Sequence, residues 1–155
     1  PYTTLFRSVA LDAAAPGEPS LGFYLLEDGG RAVLGAPGQA LGEGARIQFW
    51  YDAPGASGDG AVLVGVDGRR RVTRYFPQTS APAELAPGRG RLLPASVVLD
   101  DARGPERFFL CLGDDLDPAR VEAAAERLAR SGAPLQEVER LDVECRQATT
   151  WISKE

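Results

Sequence analysis

Histidine and methionine are absent from these 155 residues, and cysteine occurs only twice. Without histidine, a Ser-His-Asp or Cys-His nucleophile and most catalytic zinc sites are excluded. Two cysteines, Cys111 and Cys145, are too few for a structural zinc site. No apolar run approaches the roughly 18 residues that a membrane-spanning helix requires, so no membrane contact is expected from this domain itself. A concentrated basic surface is missing too. The formal net charge is −5, whereas nucleic-acid binding needs clustered cations that release phosphate counterions. The one basic run, Arg69-Arg70-Arg71 with Arg74 nearby, reads as the solvated end of a hairpin, and no nucleic-acid partner is expected.

What is present is the composition of a globular domain, 44% hydrophobic and 25% charged, at a length that buries a core without metals or a disulfide framework. Three stretches divide the chain. Pro1-Tyr2-Thr3-Thr4-Leu5-Phe6-Arg7-Ser8 matches the in-frame translation of a common sequencing adapter and is expected to be an artefact, with the true N-terminus missing. Residues 9–19, rich in Ala, Pro and Gly, are expected to be flexible. Residues 20–155 are expected to form a single domain.

Within that domain, Ala61–Pro77 is the stretch around which the rest is organised. Val62, Val64 and Val66 alternate with Ala61, Leu63 and Gly65, so this strand is apolar on both faces and belongs in the middle of a sheet. Asp67-Gly68 is a dipeptide preferred by the tight type I′ turn, in which both central residues take positive φ, and it predicts a hairpin. Upstream, Leu21–Glu27 and Arg31–Leu34 form a hairpin around Asp28-Gly29-Gly30. Gly35–Gly44 reads as loop. In Ala45–Tyr51, Ile47, Phe49 and Tyr51 share one face while Arg46, Gln48 and Trp50 share the other. Downstream, Gln78–Gly90 is a covering or binding loop. Leu92-Leu93 and Ser96–Leu99 read as short strands divided by Pro94, and Glu106–Leu112 as a second fully apolar strand.

One helix is predicted, Asp117–Arg130, with Asp117 as N-cap, Pro118 at the first helical position and Gly132 and Pro134 as stops. Val121, Ala124, Ala125 and Leu128 form its apolar stripe. Gln147–Ile152 reads as a closing strand. The fold expected is mostly β, an antiparallel sandwich of seven to nine strands with this helix packed on it near the C-terminus.

Candidate sites are few. Asp114, Asp115 and Asp117 crowd the helix start but lack calcium-loop spacing, and the helix dipole favours carboxylates there anyway. Neither Gly55–Gly60 nor Gly88-Arg89-Gly90 carries a Walker lysine or opens a helix, so no phosphate cofactor is expected. No catalytic residue, cofactor or metal is assigned. Trp50 and Tyr51, with Tyr75, could build an aromatic platform for carbohydrate or peptide if the rings are exposed and coplanar. Cys111 precedes the helix and Cys145 precedes the last strand. If that strand returns beside the first, the sulfurs could approach bonding distance, and buried thiols and a disulfide both stay open. A hydrolase using carboxylates alone is a third choice, because the adjacent Asp pairs read as turns and caps.

The markers Val66-Asp67-Gly68, Tyr75-Phe76-Pro77, Leu93-Pro94 and Gly104-Pro105-Glu106, in that order, resemble the β-rich domain of unknown function DUF4384. The form resembled is the one found at the C-terminal end of anti-sigma-factor-like proteins of myxobacteria, and the likeness runs over residues 20–153. The Tyr-Pro step of that pattern carries an inserted Phe76 here. The resemblance implies a non-catalytic accessory interaction or sensory domain with a protein partner, set outside the cytoplasm on a membrane-tethered bacterial regulator.

Overall fold

A computed structural model describes residues 17–54, 60–80 and 83–155. The octapeptide, nearly all of the 9–19 stretch and the glycine-rich turn over 55–59 lie outside the described residues. Ten strands and one helix are present among those described: β1 (Ser20–Leu26), β2 (Ala32–Leu34), β3 (Gln39–Leu41), β4 (Arg46–Ala53), β5 (Gly60–Val66), β6 (Val72–Phe76), β7 (Ala83–Glu84), β8 (Gly88–Val98), β9 (Gly104–Gly113), α1 (Pro118–Ser131) and β10 (Arg146–Lys154). A four-stranded sheet runs β2-β1-β4-β8. A six-stranded sheet runs β3-β10-β9-β5-β6, with β7 paired to β5. All pairings are antiparallel except β3 with β10.

The strands that are apolar on both faces sit where burial on both faces is available. β5 and β9 lie side by side inside the larger sheet, Val62 opposite Cys111 and Val64 opposite Phe109. Ala61, Leu63, Phe108, Leu110 and Leu112 face the smaller sheet. Val62, Val64, Val66, Phe109 and Cys111 face α1. Three layers result, sheet on sheet and helix on sheet, with Phe49 meeting Phe108 edge to face across the sandwich at 4.9 Å.

The helix begins and ends as predicted. The Asp117 carboxylate accepts from the Ala119 N–H at 3.0 Å, Pro118 opens the first turn, and Gly132 closes it at φ 73°. Val121, Ala124, Ala125 and Ala129 are buried, and their small side chains let the helix lie close on β5. Arg74 of β6 reaches Glu122 at 3.0 Å.

Three local expectations change. The hairpin after β5 is not a two-residue type I′ turn. The Arg70 N–H donates to Asp67 O, and Arg70 itself takes the left-handed conformation at φ 64°. The buried Asp67 Oδ1 accepts from the N–H groups of Arg69 and Arg71, both at 2.9 Å, and this carboxylate sets the wider loop. Gly68 is needed for space rather than φ: a Cβ there would stand 1.9 Å from Arg103 O. Second, Pro94 does not divide a strand. β8 is an edge strand, and Pro94 sits opposite a bulge in the β4 register, where its missing N–H costs no ladder bond. The Gln48 amide donates to Leu93 O and Ala95 O on either side of it. Third, two short strands, β3 and β7, lie in stretches expected to be loop.

Gly68→Ala is therefore expected to lose about 1–3 kcal/mol of stability by overpacking against the 103–104 backbone. Gly42→Ala, where a Cβ meets nothing within 4 Å, should stay within about 0.5 kcal/mol of the parent. Urea unfolding midpoints of the two variants check this.

Candidate functional site

The smaller sheet is open along one flank. β2 accompanies only the second half of β1, pairing with Tyr24, Leu25 and Leu26, and the Gly35 N–H donates to Phe23 O at 2.9 Å. No strand is hydrogen-bonded to β1 at residues 20–22 on that side among the described residues, although β10 of the larger sheet passes close to β1. Backbone donor and acceptor directions alternate along a strand, so Leu21 turns its N–H and C=O the same way as Phe23, into the open flank. On the opposite layer, β3 covers only Ile152–Lys154 of β10. Between the two edges lies a cavity of about 310 Å³, lined by Leu21, Phe23, Leu34, Trp50, Ala148 and Thr150 among others.

The cavity wall is apolar apart from a few polar side chains. Thr150 is 2% exposed, and its hydroxyl has no hydrogen-bond partner among the described residues. Leaving such a group unpaired costs about 1–3 kcal/mol, so the groove suits an occupant with a polar group at that point. Asp52 Oδ1 accepts from the Gly90 N–H at 2.6 Å and fastens β4 to β8. Gly22 has no room for a side chain, because a Cβ there would lie 2.2 Å from the Trp50 ring. The indole thus rests on the β1 backbone.

The three aromatics singled out in the sequence do not form one platform. Trp50 is half-buried at the groove. Tyr51, its neighbour on β4, points to the opposite face, is 2% exposed, and donates its hydroxyl to Ala86 O at 2.8 Å. It pins the 78–90 stretch, whose Leu85 is buried in the core, so that stretch is a cover. Tyr75 belongs to the other sheet. Its ring packs against Phe108, and its hydroxyl donates to Glu106 Oε2 at 2.7 Å. Strand alternation places residues 50 and 51 on opposite faces whatever their chemistry.

At one end of the larger sheet lies a charge cluster that sequence reasoning missed. Lys154 Nζ stands 2.6 Å from Asp100 Oδ1 and 2.8 Å from Glu106 Oε1, with both Lys154 and Glu106 buried. Burial opposes the Lys154 ammonium, but Asp100 and Glu106 outweigh it and hold its pKa above the ordinary value. The Lys154 ammonium in turn holds Asp100 below the usual carboxylate range. Burial, then the Glu106 charge, pushes the Tyr75 phenol up. A signal existed: Lys154 and Glu106 continue the apolar alternations of Ala148-Thr150-Ile152 and Phe108-Leu110-Leu112. A charge on such a face needs an internal partner.

On the helix side, Arg107 is 7% exposed and ties the larger sheet to the 3₁₀ turn at Leu135–Glu137. It donates to Thr149 Oγ1 at 3.0 Å and to Leu135 O and Gln136 O at 3.2 and 2.8 Å. Burial lowers its pKa. Cys111 and Cys145 do come together. Both are thiols, buried and half-buried respectively, and they pack into the same apolar cluster. The neighbouring Cys145 sulfur, with burial, pushes the Cys111 thiol up, while Cys111 and the Arg140 guanidinium lower Cys145. The acidic run at the helix start serves as a cap. Among the described residues no group of three or more acidic or thiol side chains is placed to hold a metal ion. The arginine run meets acid, Arg69 reaching Asp101 at 3.1 Å and Arg71 reaching Asp100 at 3.8 Å.

Fold and site define a class: a two-sheet β-sandwich backed by one helix, with an apolar groove along an open strand edge. No protein-family model, curated protein or solved structure matches the chain.

Lys154→Ala strands Glu106 as a buried unpaired carboxylate and is expected to cost about 3–5 kcal/mol. The double variant Lys154→Met, Glu106→Leu should recover most of that loss, as chemical unfolding of both will show. The same cluster sets two pH limits. Asp100 is depressed, so its contribution is full above about pH 4 and is lost as pH falls through its folded value. Lys154 and Tyr75 are raised, so their contributions are full below about pH 10 and are lost as pH rises beyond it. Tyr75→Phe should flatten the alkaline fall in stability, measured as the slope of unfolding free energy against pH.

Proposed function

We propose that this chain is a non-catalytic accessory interaction domain that receives an extended segment of a partner protein along β1. The observation that carries this reading is the β1 edge at Leu21, to which no further strand is hydrogen-bonded among the described residues, set beside an apolar cavity. An added strand hydrogen-bonds along that edge, and alternate side chains of that strand enter the adjoining pocket. The Thr150 hydroxyl supplies one polar contact inside the groove. An aliphatic side chain flanked by ordinary backbone is the chemistry that fits.

The sequence resemblance to the anti-sigma-factor-like domains supports the wider setting of this proposal, a domain appended to a membrane-tethered regulator and facing away from the cytoplasm. A carbohydrate module is the weaker reading. It requires several open, coplanar rings, and Tyr51 lies in the core while Tyr75 lies in the other sheet.

Titration with extended peptides rich in valine and isoleucine tests the proposal. Binding should shift the backbone amide signals of Leu21 and Ala148 before those of the helix. Thr150→Val, which keeps the shape, should weaken binding about 5–30-fold, the equivalent of about 1–2 kcal/mol. Peptides that bind while leaving the Leu21 amide unmoved would sink the idea, as would unchanged affinity in Thr150→Val.

A further inference from the structure

We propose that Cys111 and Cys145 are a dithiol pair that closes to an intramolecular disulfide, with Cys145 as the thiol that reacts first and Cys111 as the one that resolves. The pairing rests on strand register and is independent of the groove. Cys111 of β9 stands directly opposite Gln147 of β10. Cys145 lies just before β10, two residues ahead of Gln147, which sets it diagonal to Cys111 across the two backbones. Both side chains belong to the apolar layer between the larger sheet and α1. There Cys145 packs against the buried cluster that contains Cys111.

The two thiols differ in access. Cys111 is fully buried between Val62 of β5 and the helix, whereas Cys145 is half-buried at the mouth of β10. Arg140 lies close enough to favour a thiolate at Cys145, and a thiolate is the attacking species in exchange. The oxidant required is a small disulfide such as oxidised glutathione. The Cys145 thiolate attacks one of its sulfurs, forming a mixed disulfide and releasing one glutathione thiolate. Cys111 then gives up its proton and attacks the Cys145 sulfur, which releases the second glutathione as a thiol. One protein disulfide and two reduced glutathiones balance the two protein thiols and one small disulfide consumed.

The bond closes a loop that contains α1 and the 3₁₀ turn, so oxidation fastens the helical layer to the larger sheet. The loop of about 34 residues predicts a gain in melting temperature on the order of 10 °C.

The test uses the folded chain, fully reduced and then incubated with oxidised glutathione. Thiol counting after denaturation should find no free thiol in the parent, and peptide mapping should find residues 111 and 145 joined. Cys111→Ala should accumulate one glutathione adduct at Cys145, and Cys145→Ser should leave Cys111 unmodified. Cys111→Ser provides a second version of the first variant should the alanine form fold poorly. Two thiols persisting in the oxidised parent, linkage between chains instead of within one, an adduct on Cys111 in Cys145→Ser, or an oxidised form that melts below the reduced one would each overturn the proposal.

Discussion

Burial of β5 and β9 on both faces is the constraint on which the rest of this structure depends. A single sheet leaves one side of Val62, Val64 and Phe109 in water. A sandwich without the helix does the same. The smaller sheet covers Leu63, Phe108 and Leu110, and α1 covers the other side, so the two partners of the central strands are fixed by one requirement. Fully burying a residue of this kind is worth about 1.5–3 kcal/mol. The sequence carries the small residues that let both partners approach, with Ala124, Ala125 and Ala129 on the helix and Ala95 and Ala148 between the sheets.

The larger sheet carries more than its apolar partners. Arg107 holds the 3₁₀ turn through two carbonyls, and Lys154 draws Asp100 onto Glu106 at the end of the sandwich. Such buried ions stabilise little relative to apolar residues of the same shape, but each punishes the loss of its partner. They tie the connections before β9 and β10 to the larger sheet. The thiol pair lies in the same helical layer, which is held by packing and by the Arg107 guanidinium.

The smaller sheet is built on a different principle. Its outer face has no covering element among the described residues, and Leu92 and Val98 are 60% and 64% exposed there. Among the described residues no strand pairs with the first part of β1 on the β2 side, because β2 ends at Leu34, and the next residue, Gly35, has no room for a Cβ, which would strike the Phe23 ring at 2.0 Å. A stable three-layer half thus supports a second sheet whose β1 edge is only partly paired among the described residues. Strand addition needs that combination of rigidity behind and an open edge in front.

The sequence by itself determined what depends on neighbours along the chain. The central strands follow from their unbroken apolar runs, the helix from Asp117, Pro118 and Gly132, and the face assignment of Ile47, Phe49 and Tyr51 from simple alternation. Tertiary structure alone decided what depends on residues distant in sequence. Gly68 is forced by the Arg103 carbonyl, Pro94 is tolerated by an edge position, and Tyr51 is occupied by Ala86. Trp50 and Tyr51 look like one aromatic pair in the sequence, yet the pleat sends one to the groove and the other to the core. Lys154 finds Asp100 and Glu106 only because β10 runs antiparallel to β9. The same pairing sets Cys145 beside Cys111, and the β1 edge at Leu21 lacks a hydrogen-bonded neighbour among the described residues because β2 ends at Leu34, opposite Tyr24.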